Sequence, residues 1–373
     1  MKKSILWALL LSLPILFGCN PQNDDPDGPD VPVDPVENLE GPITMYVDRT
    51  IIKADGSYPA VLKVLLMDKK GVEHDVTADV EIYCEGSDAL VEDPVFKTTT
   101  EGEYTFYAVH GFEISNTVVV NAVKGVGDIP ADSKPDNVEF RHRMLLLQHT
   151  GNECPNCPRL MEILKKLSDD EAYAPHYLHV ASHSYNTSDP AYTSAAASLS
   201  KELNLTGYYP WLTYNLTTKE GYYIEDIKDS INSYKKDVAD AGISAAVTHS
   251  GNHVYANVSI KSAIESKYRV AVWLLEDNIH AVQSGATASW QNMHENCLRA
   301  MSGVSRAECI YGQPLGLIEE GGSKDFIASI ELDPSWKIES CKVIIIAVAA
   351  GEEYELLNCA VCPVGETISY EYK

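Results

Sequence analysis

Hydrophobic positions along the chain fall into three successive patterns. Between residues 41 and 123 they alternate with polar ones in short runs, at 44–48, 60–66, 80–84, 104–109 and 117–121. Turn residues such as Ala54-Asp55-Gly56, Lys69-Lys70-Gly71 and Glu101-Gly102 break the runs. Alternation of period two predicts strands with one face buried. From Arg143 the pattern changes. Residues 143–147 form an unalternating apolar run, which suits a strand covered on both faces. Leu160, Ile163, Leu164 and Leu167 then fall at i, i+3, i+4 and i+7 and give one buried helix face. A strand at 177–181 and a helix at 191–203 follow. Pro210 opens a further strand, a position where its missing amide proton is tolerated. A hairpin turn at 217–221 leads to a last helix with Ile224, Ile227, Ile231 and Val238 inward. Beyond about residue 241 strand patterns return, at 256–260, 268–275, 324–330, 342–348 and 354–361. The weakly periodic segment 280–312 is expected to be a loop with a helical turn, covering one edge.

These patterns predict a multidomain chain, α/β in the middle and all-β on either side. A β-sandwich spans 41–124, a Gly/Pro/Asp/Ser linker 125–135, an α/β domain 136–240 and a C-terminal β-sandwich 241–373. The first sandwich resembles the immunoglobulin-like modules of bacterial surface proteins, notably in 102–108 and 115–120. Within the α/β domain, Cys154-Pro155-Asn156-Cys157 joins the first strand to the first helix. A Cys-x-x-Cys at that junction, followed by strand, helix, proline-led strand, hairpin and helix, is the thioredoxin arrangement. In that fold the proline corresponding to Pro210 is cis and lies beside the two cysteines, so a cis Tyr209–Pro210 bond is expected.

The N-terminus says where the chain goes. Met1-Lys2-Lys3 precedes an apolar stretch, 5–17, which is short for a stable membrane span and reads as a signal peptide over 1–18. It ends Leu16-Phe17-Gly18-Cys19, which resembles a bacterial lipobox, with Cys19 as the lipidated residue and membrane attachment through its acyl chains. Residues 19–40 carry five prolines, seven acidic residues and no lysine or arginine between Asn20 and Glu40. Such a stretch buries too little apolar surface to fold and reads as a disordered acidic tether. The formal charge of −25 argues against nucleic acid and anionic lipid surfaces as partners, since both are polyanions.

The candidate chemistry is sulfur chemistry. Cys154, beside a helix N-terminus whose unpaired amides favour a thiolate, is the expected attacking thiol. Cys157, one turn further in, would resolve a mixed disulfide with a protein or small thiol. Against strong activity, Glu153 places an anion next to Cys154, and neither Leu147 nor Gln148 is a carboxylate. His149 is the nearest titratable candidate for a proton acceptor. A fixed structural disulfide is the alternative. Cys359 and Cys362 lie three apart on a strand, on opposite faces, and are poorly placed to bridge each other. If 351–352 is a two-residue hairpin loop, Cys341 faces Cys362 and a disulfide between them is expected. His176, His179 and His183 read as hydrogen-bonded or solvent-facing rather than as metal ligands. No metal site, phosphate loop or dinucleotide fingerprint is apparent, and no cofactor is expected.

Thr150-Gly151 before Cys154-x-x-Cys157-Pro158, together with the stretch from Val272-Trp273 to Leu298-Arg299-Ala300, resembles the Bacteroidota outer-membrane lipoproteins related to a 28-kilodalton outer-membrane protein. The resemblance runs from the lipobox to the C-terminus. It implies an outer-membrane, lipid-anchored protein with a thioredoxin-like domain, placed at the cell surface or on the periplasmic face. Relatives commonly carry acidic residues just before the Thr-Gly, where this chain has Gln148-His149.

Overall fold

A computed structural model describes residues 41–86, 90–217, 222–351 and 353–373. The signal peptide, Cys19, the acidic tether and most of the 217–221 hairpin turn lie outside the described residues.

Residues 43–123 form two facing sheets around one core. Ile43–Val47, Ala60–Met67 and Glu73–Asp75 make one sheet; Ile51–Lys53, Val118–Val123, Gly102–His110 and Glu81–Cys84 make the other. The alternation seen in the sequence becomes the alternation of burial along Ala60–Met67, where Leu62, Val64 and Leu66 point inward. They meet Ile52, Phe106, Ala108 and Val120 of the opposite sheet. Residues 125–135 are strapped to the C-terminal part of the molecule. Lys261 Nζ donates to Asp132 (2.8 Å), and Asn257 Nδ2 donates to the Gly127 carbonyl (2.9 Å).

The remainder is built on a long sheet. Its elements in chain order are β1 (Met144–Thr150), α1 (Cys157–Ser168), β2 (Tyr177–His183), α2 (Ser194–Glu202), β3 (Trp211–Tyr214) and α3 (Ile224–Lys236). Then come β4 (Ala241–Ser250), β5 (His253–Ser262), β6 (Ser266–Glu276), β7 (Cys297–Met301), α4 (Arg306–Tyr311), β8 (Gln313–Ile318), β9 (Ser323–Glu331), β10 (Cys341–Ala349) and β11 (Leu356–Pro363). Eight strands pair in the order β3-β1-β2-β7-β6-β10-β11, with β8 also on β6. β1 is parallel to β2 and antiparallel to β3. The sheet therefore runs across residue 240: β2 meets β7 through Ala181 and Cys297. Segment 280–312 supplies β7 and α4, so it is a structural member as well as a covering loop.

Side-chain parity divides the layers. Met144 and Leu146 of β1 pack with Leu160, Leu164 and Leu167 of α1 and Ile227 and Ile231 of α3. Leu145 and Leu147 face the other way, onto Ala196 and Leu199 of α2 and across to Trp273. All seven residues of β1 are buried, as an unalternating run implies. β4, β5, β9 and Thr367–Ile368 form a second sheet, β9-β5-β4 in order, packed on β6 and β10 through Val258, Ile260, Val270, Val272, Val343 and Ile345. Val238, read as part of the last helix face, instead sits in a short strand, Val238–Ala239, paired with Phe140–Arg141. α3 ends at Lys236, two residues too early to include it. Among the described residues no helix is long and apolar enough to cross a membrane.

Candidate functional site

β1 ends at Thr150, and two tight turns carry the chain to α1. The Cys154 amide donates to the Gly151 carbonyl (3.1 Å) and the Cys157 amide to the Cys154 carbonyl (3.2 Å). α1 starts at Cys157, with Pro158 in its first turn, where the missing amide proton removes no helical hydrogen bond. The turns bring the two Cα atoms to 5.4 Å, and the sulfurs are joined in a disulfide. Tyr209–Pro210 is cis, as expected. Trp211, the next residue, pairs with His149, so Pro210 sits at the end of the sheet from which the cysteine turn emerges.

Exposure departs from the sequence reading. Cys154 is 1% exposed and Cys157 0%, whereas an attacking thiol needs access to its substrate. The cover comes from segment 281–291. The Gln283 side-chain amide donates to the carbonyls of Cys154 (2.9 Å) and Gly151 (3.3 Å), and the Ser284 amide donates to Asn152 O (2.7 Å). Gly285 lies so close that a Cβ there would stand 2.4 Å from the Pro155 carbonyl oxygen, and its φ of +72° is itself a glycine conformation. Gln291 Nε2 reaches the Pro158 carbonyl (3.2 Å) at the start of α1. Gln283 and Gln291 are buried polar residues in a weakly periodic stretch, and nothing in the sequence pattern singled them out.

His149 lies on the α2 face of β1 because its parity is that of Leu145 and Leu147. Its Nδ1 is 2.9 Å from Ser200 Oγ, continued through Ser184 Oγ to Tyr209 OH. Burial pulls its pKa down to about 3, so it is neutral. Placed across the sheet from α1, it is not positioned as the acceptor for Cys157.

A second buried group adjoins the turn. His183 Nδ1 meets Asp189 Oδ2 at 2.7 Å, and both side chains are 1% exposed. The same oxygen accepts from the Asn152 amide (2.8 Å), and Asp189 Oδ1 accepts from the Ala191 amide (2.8 Å). Asp189 is pulled down to about 2: burial opposes ionisation, but the His183 hydrogen bond and charge and the two amides outweigh it. The His294 ring stands edge-on to His183 with centroids 4.9 Å apart. Asp189 thus ties the end of β2 to the turn that carries the cysteines, a role the sequence did not signal.

Cys341 and Cys362 do not form the expected disulfide. Val343, not Cys341, pairs with Cys362, because a bulge at Ala347/Val348 and a connection longer than two residues shift the register by two. Both are free thiols, raised by burial to about 12 and about 11. Cys359 and Cys362 do face opposite sides of β11, in different cores. Among the described residues, no three His, Cys, Asp or Glu side chains cluster as a metal site would require.

No family model and no curated protein matches the chain in sequence. Among solved structures, the chain is similar to HBP35 of Porphyromonas gingivalis, with a TM-score of 0.52 and 16% identity over 62% of this chain and 77% of that one. Adhesin InvE of Yersinia pseudotuberculosis and domains 4–9 of the surface layer protein SbsC overlap far more loosely. Their TM-scores are 0.17 and 0.18, with 10% and 11% identity; they cover 86% and 88% of this chain and 58% and 51% of theirs. Only the likeness to HBP35 carries weight, and at that identity it is a likeness of fold.

Proposed function

We propose that this is a lipid-anchored surface protein that binds partners, and that its thioredoxin-like unit, 136–240, carries Cys154–Cys157 as a shielded structural disulfide. The observation that supports this reading is the burial of both sulfurs beneath segment 281–291. Thiol exchange needs a thiolate to approach one sulfur in line with the S–S bond, and a 1%-exposed Cys154 offers no such approach in the closed arrangement. Anchoring through Cys19 and the 19–40 tether would present residues 41–373 outside the cytoplasm, in a compartment where disulfides persist. The immunoglobulin-like reading of 41–124 fits a surface spacer or adhesive module.

A second reading is a thiol–disulfide oxidoreductase that opens to act. The place of Pro210 at the cysteine end of the sheet and the start of α1 at Cys157 favour it. One experiment separates the two. The folded protein is incubated at pH 7.5 in millimolar dithiothreitol, trapped with a maleimide over time and mapped by mass spectrometry. The structural reading expects Cys154 and Cys157 to stay unlabelled until the protein unfolds, and no insulin reduction. Labelling within minutes, with turnover lost in Cys154→Ser, would establish the oxidoreductase instead.

A further inference from the structure

A half-open cavity of about 620 Å³ lies on the α1 face of β1 and β2, bordered on its other side by Trp290 and residues 293–296. It is distinct from the disulfide, which does not line it. Its wall is largely apolar, with Met161 and Leu164 of α1, Tyr177 and Ala181 of β2, and Trp290 and Met293 opposite. Lys165 and Glu295 also border it, but both are exposed to solvent.

The buried polar groups along it are Gln148, Thr150, His183 and His294, with His179 and Asn296 half-buried. Gln148 is 3% exposed and lines the cavity. Its Oε1 lies 3.0 Å from His179 Nε2, and the other ring nitrogen of His179 lies 3.3 Å from Asn296 Nδ2. With Asn296 donating to Nδ1, His179 carries its proton on Nε2 and donates it to Gln148. That arrangement fixes the Gln148 amide and leaves its Nε2 buried without a partner. A buried donor left unpaired is costly, and such groups are few in folded proteins. Burial is the main cause that pulls His179 and His294 to about 4, so both are neutral at physiological pH, while the third lining histidine, His183, is held by Asp189.

We propose that this cavity is a binding site for a neutral, largely apolar small molecule that presents a carbonyl or other acceptor oxygen to Gln148 Nε2. The volume is in the range of small-molecule pockets, and the ratio of apolar wall to a few directed polar groups is what such pockets show. Of the lining groups with a fixed charge, Lys165 and Glu295, neither is buried, which disfavours a charged ligand. The site stands whether or not the disulfide exchanges.

The test uses the folded protein at pH 7.5 and three probes of one shape in equilibrium dialysis: 2-acetylnaphthalene, 2-ethylnaphthalene and 2-naphthoate. The neutral ketone is expected to bind saturably with one site, and 2-naphthoate at least about tenfold more weakly. In Gln148→Met the affinity for the ketone should fall about tenfold, the worth of one neutral hydrogen bond, while 2-ethylnaphthalene is unaffected. Met161→Trp, which fills the cavity from the half-buried wall, should abolish binding of both neutral probes. Equal loss of both probes in Gln148→Met, tightest binding by 2-naphthoate, or no saturable binding of the ketone would each overturn the proposal. If a variant's melting temperature falls, the ranking of the three probes on the wild type decides by itself.

Discussion

Between pH 6.5 and pH 4 the protein will lose a large part of its stability, and the loss begins well above the range in which its carboxylates protonate. His149 is fully buried and its folded pKa is about 3, against 6.5 for a free imidazole. Below pH 6.5 the unfolded chain takes up a proton that the folded chain refuses, so stability falls with falling pH until the folded value is reached. His294, 3% exposed and pulled to about 4, behaves the same way. Burial is the main cause, and the neighbouring His183 adds to it while Asp189 opposes. Each group removes on the order of 3 kcal/mol by pH 4, a large fraction of the total for an ordinary domain. Asp189 extends the loss: its pKa is lowered to about 2, so its contribution is present above about pH 4 and disappears as the pH falls from there toward 2. Urea titrations followed by fluorescence at half-unit intervals would measure this. His149→Met, which fits an apolar face and cannot titrate, should flatten the slope by about one proton. A flat stability profile between pH 6.5 and 4 would contradict the buried, neutral state of these rings.

Gly285→Val should make the Cys154–Cys157 disulfide reducible at least about tenfold faster. Two effects add. A β-branched residue at φ +72° is strained by roughly 1–2 kcal/mol, and its Cβ would stand 2.4 Å from the Pro155 oxygen. Segment 281–291 can relieve both only by lifting from the turn, which breaks the Gln283 bonds to Gly151 and Cys154. A shift of about 1.4 kcal/mol between covered and uncovered forms is already tenfold in their ratio. Val282→Ser is the control, because Val282 is 73% exposed beside the same contact and should leave the rate unchanged. The rate of maleimide labelling under mild reductant reports the result. Equal rates in Gly285→Val and wild type would mean that the segment does not govern access.

What could be read from the sequence was local. The unalternating run before Thr150, the helix face of Leu160, Leu164 and Leu167, and the proline leading β3 each carry their signal within one element. The same holds for the alternation of Ala60–Met67. What could not be read was long-range. β7 joins β2 across more than a hundred residues through one registered pair, Ala181 and Cys297, and five residues in a weakly periodic stretch give no sign of it. The cover over the disulfide rests on Gln283, Ser284 and Gly285, common loop residues whose meaning depends on what they touch. The pairing proposed for Cys341 and Cys362 failed for a related reason: hairpin register follows from the loop, and one bulge moves every partner.

The junction of β2 with β7 also bears on how the chain emerges during synthesis. β2 is an interior strand only because a segment more than a hundred residues later lies against it, with the Ala181 amide donating to the Asn296 carbonyl at 2.8 Å. A nascent chain that has reached residue 240 holds β1, β2 and β3 but presents β2 as a bare edge, an open template for any other strand. The middle of this protein therefore stays vulnerable to wrong pairing until residues 297–301 have been made.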